Sequence, residues 1–500
     1  MKSGQRTVNT ALDKLPYGDP NSPEAHGRVK TPRLPDGVTR GMLIRDVVMI
    51  AWPSLVELVL TQLTSMVDQV MVGRLPGNAG IMGLSAIGLA MQPKFLLMTM
   101  IMAMNIGSTA VIARFRGQRN QERATQVFRQ ALLLNAFMSA LFMVLGLVLS
   151  RPLIRLMSGS GISQETMDLA VKYLNIQLYD FIPMGLAFTV TAALRGIGNT
   201  RTPMIYNTVA NVVNVVFNYL LIYGKLGMPA LGVEGASWAT VIGQTTAFVI
   251  AAITVLRPSC YLHIKPKDKF NFDKNIMSDV VKIGFPSMLE QLFMRAGIIV
   301  FTRAVAGLGD TMYATHQICM SVQAMSFMLG QAFANSTTTL MGQSIGKRRY
   351  DMAEIYMRKT RNVGICVAIV AATLFIIFRK AIVGLYNSTP EVIENGAKVL
   401  ILIAASQPIQ ADQFIVSGGL RGAGDTKYTA FVIAICVLIV RSGLAVLLVT
   451  VLQMGLWGAW IALVADQMLR TVFMAIRYDT GKWKEMVLRN DAHGPEEAKS

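Results

Sequence analysis

The chain is 500 residues long, 53% hydrophobic and 15% charged, with a mean hydropathy of +0.45, which excludes an ordinary soluble domain. Its formal net charge of +18 would suit a nucleic-acid binder. The basic residues sit in loops between apolar stretches, however, and anionic headgroups and membrane topology explain them, so nucleic acid is excluded as a partner.

Residues 1–42 are polar, carry Pro16, Pro20, Pro23, Pro32 and Pro35, and contain no apolar signal core. A disordered cytoplasmic tail is expected there, with no secretory signal. Twelve apolar stretches follow, each long enough to cross a bilayer as a helix. The first six run roughly over 46–72, 84–112, 131–150, 168–194, 203–224 and 232–256. The second six run roughly over 281–308, 313–341, 363–379, 396–419, 428–452 and 454–476. Lys265, Pro266, Lys267, Asp268, Lys269 and Lys274 mark a cytoplasmic linker at 258–280. The expected domains are thus an amino-terminal lobe at 43–257, a carboxy-terminal lobe at 281–478 and a cytoplasmic tail at 479–500. With the amino terminus inside, the inner loops hold about 21 Lys and Arg and the outer loops about nine, the positive-inside bias. Both termini are therefore expected in the cytoplasm of a protein of the cell membrane.

The two sets of six repeat one another. Leu194-Arg195-Gly196-Ile197-Gly198-Asn199-Thr200 returns as Leu420-Arg421-Gly422-Ala423-Gly424-Asp425-Thr426, and Trp52-Pro53-Ser54-Leu55-Val56-Glu57 returns as Phe285-Pro286-Ser287-Met288-Leu289-Glu290. Gly117 with Arg116 and Arg119 returns as Gly346 with Lys347 and Arg348. The predicted fold is all-α and integral to the membrane: twelve transmembrane helices in two pseudo-symmetric six-helix bundles, the usual plan of a secondary transporter. Its binding cavity is expected between the halves, in a chain that acts as a monomer. The Leu-Arg-Gly-x-Gly blocks read as tight turns in which Gly196, Gly198, Gly422 and Gly424 permit positive φ. Asn199 or Asp425 would cap the next helix. They lack the strand and the Lys-Ser/Thr of a phosphate-binding loop.

Polar residues inside apolar spans are costly and mark function. Helix 1 carries Glu57, Thr61, Thr64 and Asp68, and helix 5 carries Asn207, Asn211, Asn214 and Asn218 at the same spacing. Eleven residues turn about 1100° and rise about 16 Å, so each set forms one narrow stripe. An acid facing amides and hydroxyls suits a hard cation or a proton. The alternative reading is interhelical hydrogen-bond glue. The second half lacks these stripes and carries Glu290, Arg295, Asp412, Arg441 and Asp466 instead. Its acids suit a cationic substrate or a second proton, or pair with Arg295 and Arg441 as buried structure; Lys94 is another candidate charge partner. Pro53 and Pro286 remove helical hydrogen bonds at hinge-like places in helices 1 and 7. Four scattered cysteines and four scattered histidines give no zinc or disulfide pattern.

The doubled turn block, Val67-Asp68-Gln69-Val70-Met71-Val72-Gly73, Gly232-Val233-Glu234-Gly235-Ala236, Ala314-Thr315-His316-Gln317-Ile318 and Gly342-Gln343-Ser344-Ile345-Gly346 together resemble the multidrug and toxic-compound extrusion (MATE) family over about residues 43–478. The resemblance implies a V-shaped pair of six-helix lobes exporting drugs or metabolites in exchange for Na⁺ or H⁺. It makes Asp68 the functional aspartate of helix 1, Asn214 the helix-5 asparagine and Thr240 a helix-6 threonine that assists cation binding. Asn218 stands where many relatives carry a second aspartate. Glu290 lies about one turn from a helix-7 acid, and Asp412 is similar in placement to a helix-10 acid of the Na⁺-coupled branch.

The expected function is a cation-coupled antiporter working by alternating access, not an enzyme. It needs no cofactor beyond a coupling ion, Na⁺ or H⁺, and its substrate is a small hydrophobic cation. The expected coupling residues are Asp68, Asn214, Asn218, Thr240 and Glu57. Glu290, Asp412 and Arg295 are candidates for the substrate or a second site. The rival reading, a flippase for a lipid-linked precursor, would line its cavity with several Arg and Lys, and only Arg295, Arg441 and Lys94 are available here.

Overall fold

The computed structural model describes residues 10–19, 34–76, 78–157, 163–265, 273–386, 389–485 and 487. Every regular element among them is helical. After one turn at Ala11–Lys14 come α1 (Arg40–Gly73), α2 (Asn78–Gly117) and α3 (Gln121–Met157). The fourth element, α4, is built of two segments, Gln164–Tyr179 and Phe181–Gly196, bent by 49°. Then follow α5 (Arg201–Tyr223), α6 (Val233–Leu256), α7 (Lys274–Ala306), α8 (Asp310–Gly346), α9 (Tyr350–Gly384) and α10 (Pro390–Gly422). α11 (Thr426–Val451) and α12 (Gly455–Asp479) complete the set. Among the described residues nine helices are long and apolar enough to cross a membrane, and the bent pair makes a tenth. Side chains such as Val148, Ile377, Phe431 and Ile439 are exposed on their outer faces, where hydrocarbon would cover them.

The chain gathers into two compact units. One holds Val56–Ile112 and Gln121–Val281; the other holds Val8–Leu55, Ala113–Asn120 and Lys282–Ser500. The first packs around Tyr173, Leu174, Phe181 and Ile222. The second has one core around Tyr350, Tyr356, Leu420 and Trp483 and another around Phe301, Leu400 and Trp460. Apolar side chains gain little from leaving lipid, so helix association there rests on close packing and small residues. A Cβ on Gly196 would stand 2.9 Å from the Thr109 carbonyl oxygen, and one on Gly422 2.6 Å from that of Thr338. These two glycines therefore serve close approach of helices. Positive φ is confined to their neighbours Gly198 (84°) and Gly424 (88°).

The two turns cap differently. Asn199 accepts the Thr202 backbone N–H at 3.2 Å, a helix cap as expected. Asp425 makes no cap bond; Arg477 takes its carboxylate at 2.7 Å instead. A charged partner outbids a backbone amide for that acid. In α11, π-helical turns at Ile435–Arg441 and Leu447–Val451 interrupt the regular winding, a feature that apolar periodicity does not reveal.

Residues Thr10–Asp19, within the segment expected to be disordered, pack on the second unit. Ala11 N and Tyr356 OH both donate to Asp46 Oδ2 at 2.7 Å. Arg119 donates to Asp13 O at 2.7 Å and Tyr17 OH to Gln118 O at 2.6 Å. Lys347 donates its ammonium to Leu12 O. The segment thus supplies partners to Asp46 and Lys347, both buried, which would be costly to leave bare.

Candidate functional site

The polar stripes of α1 and α5 meet. Asn207 Nδ2 donates to Glu57 Oε1 at 2.7 Å, Asn211 Nδ2 reaches Thr61 Oγ1 at 3.5 Å, and Asn218 Nδ2 donates to Asp68 Oδ1 at 2.5 Å. Each pair is separated by 150 residues. A constant offset means that the two helices run parallel in one register, which the matched helical spacing of the stripes requires. Thr61 and Thr64 give their hydroxyl protons to carbonyls of their own helix. This leaves oxygen lone pairs facing outward and little conformational freedom.

At one end of the ladder the polar groups close into a cluster. Asn218 also donates to Asn214 Oδ1 at 3.1 Å, and Asn214 Nδ2 reaches Thr240 Oγ1 on α6 at 3.4 Å. With its amide turned over, Asn214 donates to Asp68 Oδ1 at 3.0 Å. Asn218 is fully buried, and its Oδ1 has no hydrogen-bond partner. Asp68, Asn214, Asn218 and Thr240, four of the five expected coupling residues, are thus brought together by α1, α5 and α6. An amide suits both states of such a carboxylate. Its NH₂ donates to the bare anion, and turned over its oxygen faces a bound cation or an acid proton.

Glu57 is not part of this cluster. It lies three turns back along α1, where Arg195 binds its Oε2 at 2.8 Å. The second half repeats the arrangement: Arg421 donates to Glu290 Oε1, and Thr429 reaches the other oxygen at 3.4 Å. Asp412 is gripped by Nε and Nη2 of Arg361, at 2.6 and 2.7 Å. Asp466 holds Arg441 at 2.6 Å and Arg470 at 2.8 Å. Arg295 is half-buried on α7. Of the two arginines expected to neutralise the acids, Arg441 does so for Asp466; Arg421 and Arg361 take Glu290 and Asp412. Pro53 and Pro286 lie inside α1 and α7, and the division between the compact units passes along α1 after Leu55.

Sequence reasoning missed Arg195 and Arg421 as partners of Glu57 and Glu290. The signal was available: the Pro-Ser-x-x-Glu block and the Leu-Arg-Gly block each occur once per half, so a pairing between them recurs with the repeat. It also passed over Asp180, a buried acid at the bend of α4. Among the described residues, Asp68 and Asp180 are the acids well inside the helical spans without a lysine or arginine at ion-pair distance.

The MatE family profile matches the chain twice, at residues 53–220 and 286–447, once per sequence half. A relative in Thermotoga maritima, a probable multidrug resistance protein NorM, is 26% identical over 448 residues, spanning 88% of this chain and 93% of its own. The uncharacterized transporter YisQ of Bacillus subtilis is 27% identical over 436 residues, spanning 87% and 94%. A MATE crystal structure in a bent conformation aligns with a TM-score of 0.80 at 20% identity, over 90% of this chain and all of that one. The fold is therefore all-α and integral to the membrane, with twelve transmembrane helices in repeated sets of six. With the profile covering more than half of its length, the chain belongs to the MATE family of membrane transporters.

Proposed function

We propose that this chain is a cation-coupled antiporter that exports small hydrophobic cations, including drugs, across the cytoplasmic membrane by alternating access, with Asp68, Asn214, Asn218 and Thr240 binding the coupling ion. The observation that carries the reading is the environment of Asp68. Its carboxylate accepts from the Asn218 amide and, with Asn214 turned over, from that amide as well, while Glu57, Glu290, Asp412 and Asp466 are each neutralised by arginine. A structural acid inside a membrane is paired with a fixed cation; an acid left to amides is available to a mobile one. Relatives named as probable multidrug resistance proteins support drugs as substrates, and the basic inner loops support a cytoplasmic position for both termini.

The ion, H⁺ or Na⁺, neutralises Asp68 and turns the Asn214 amide. The change passes along α1 toward Pro53, where a missing helical hydrogen bond makes bending cheap. Substrate affinity falls as the ion binds, and by linkage the substrate weakens the ion equally. A flippase reading asks for free basic groups, whereas Arg441 is engaged by Asp466.

The test is efflux of a fluorescent cation from vesicles under separately imposed pH and Na⁺ gradients. Asp68→Asn abolishes gradient-driven efflux while leaving expression intact. Full activity in that variant sinks the reading.

A further inference from the structure

Asp180 occupies an unusual place. It joins the two segments of α4 at their 49° bend, is fully buried, and neither carboxylate oxygen has a hydrogen-bond partner. It holds the N-cap position of Phe181–Gly196 yet makes no cap bond, although aspartate there ordinarily accepts a backbone N–H. Nothing structural consumes this acid. One turn earlier on the same chain, Gln177 accepts the ammonium of Lys94 from α2, and its Nε2 reaches Tyr173 OH at 3.4 Å. Lys94 is buried and lies within electrostatic reach of two carboxylates, Asp180 and Asp68.

We propose that Asp180 is a second proton-binding carboxylate of the first unit, joined to Asp68 through Lys94 as a shared internal counter-ion. With all three groups ionised, two carboxylates and one ammonium leave one uncompensated negative charge, so the cluster takes up one monovalent cation. Asp180 offers two oxygens without hydrogen-bond partners, which suits a proton; Na⁺ needs several oxygen donors at once. The proton forms an O–H bond on Asp180 when Lys94 serves Asp68. It returns to solvent when Lys94 serves Asp180 and frees Asp68 for its own ion. Among the described residues, Lys94 from α2 is the charged group that acts on Asp180, and it acts on Asp68 from α1 as well, while Tyr173 of α4 lies within electrostatic reach of Asp68. A break in a membrane helix tolerates such a group because the protein, not lipid, surrounds it. The inference rests on the antiporter reading above.

The test adds ethidium to purified full-length protein in weak buffer with a pH dye, then measures ethidium efflux from proteoliposomes. Asp180→Asn is expected to release at most half of the wild-type protons on ethidium binding. Its pH-driven efflux should fall about tenfold or more, within the range of a coupling interaction, and by the same linkage its ethidium affinity should depend less on pH. Wild-type proton release and efflux in this variant overturn the proposal, as does a wild type that releases no proton and runs on Na⁺ alone. Lys94→Gln with Asp180→Asn keeps the net buried charge, and it gives the reading where the single variant does not fold. If that pair restores both readouts, Asp180 merely balances Lys94 and the proposal fails; if pH-driven efflux stays low, it stands, because Asp68 alone can still take up a proton. Asp68→Asn tests the antiporter reading separately, because its loss of efflux beside an unaffected Asp180→Asn sinks only the present inference.

Discussion

Glu57 and Glu290 do the same job in the two halves. Each accepts from the arginine of its own Leu-Arg-Gly turn, Arg195 or Arg421, in a setting almost free of solvent. Removing one partner of such a pair leaves a buried charge uncompensated, at a cost of about 3–5 kcal/mol. Glu57→Gln and Glu290→Gln should therefore each lower the unfolding temperature in detergent, and by similar amounts. Removing both members, as in Glu57→Leu with Arg195→Leu, should recover most of the loss. An unchanged melting temperature in both single variants would argue that these acids carry ions and not structure. Asp68 behaves differently in this respect. Its hydrogen bond comes from an amide and no arginine grips it, so Asp68→Asn should cost transport and less stability than Glu57→Gln.

Between α1 and α5 the constant spacing of bonded pairs makes the ladder sensitive to register. One alanine inserted between Asn211 and Asn214 rotates everything after it by about 100°, which swings Asn214 and Asn218 off Asp68. Efflux should then fail as completely as in Asp68→Asn. The same insertion in the loop between α5 and α6, at 225–230, should be tolerated. Equal loss at both places would mean that the ladder register is not what matters. Helix contacts elsewhere depend on missing side chains. A Cβ on Gly346 would stand 1.9 Å from the Arg114 carbonyl oxygen, and one on Gly117 2.1 Å from that of Gln343. Backbone cannot yield as a flexible side chain does, so Gly346→Ala should cost at least the roughly 1–3 kcal/mol of an overpacked core. Expression and thermal stability of that variant check it. The sequence marked these two glycines as a repeat with basic neighbours; their mutual approach to carbonyls became visible only with the turns in space.

At the scale of the molecule, the amino-terminal segment ties itself to distant chain. Deleting residues 1–19 strips Ala11 from Asp46 and the Leu12 carbonyl from Lys347. Each buried polar group left bare costs about 1–3 kcal/mol. The truncated protein should melt at lower temperature, and Asp46→Ala should reproduce part of the loss. A truncation as stable as the full chain would show these contacts to be dispensable. Polarity and proline content do not reveal the packing of residues 10–19 because the groups they contact, Asp46, Gln118, Arg119 and Lys347, lie between thirty-five and more than three hundred residues away.

The number of helices, their doubling and the candidate set at Asp68, Asn214, Asn218 and Thr240 were legible in the amino-acid order. The helices, their doubling and the stripes that carry Asp68, Asn214 and Asn218 follow from properties that repeat along a helix or are set by a bilayer, namely length, apolarity and a turn of 3.6 residues; Thr240 entered through the family resemblance. Which arginine neutralises Asp412 was not legible, and only the recurrence of two blocks in each half hinted at the pairing of Glu57 with Arg195. Glu57 with Arg195, Asp412 with Arg361 and Asp180 with no hydrogen-bond partner differ only in what the folded chain brings to each carboxylate. Inside a membrane that neighbour decides whether an acid is structure or is left for an ion. Local pattern determined the scaffold; long-range packing, through the cost of burying a charge, decided which residues on it are available to work.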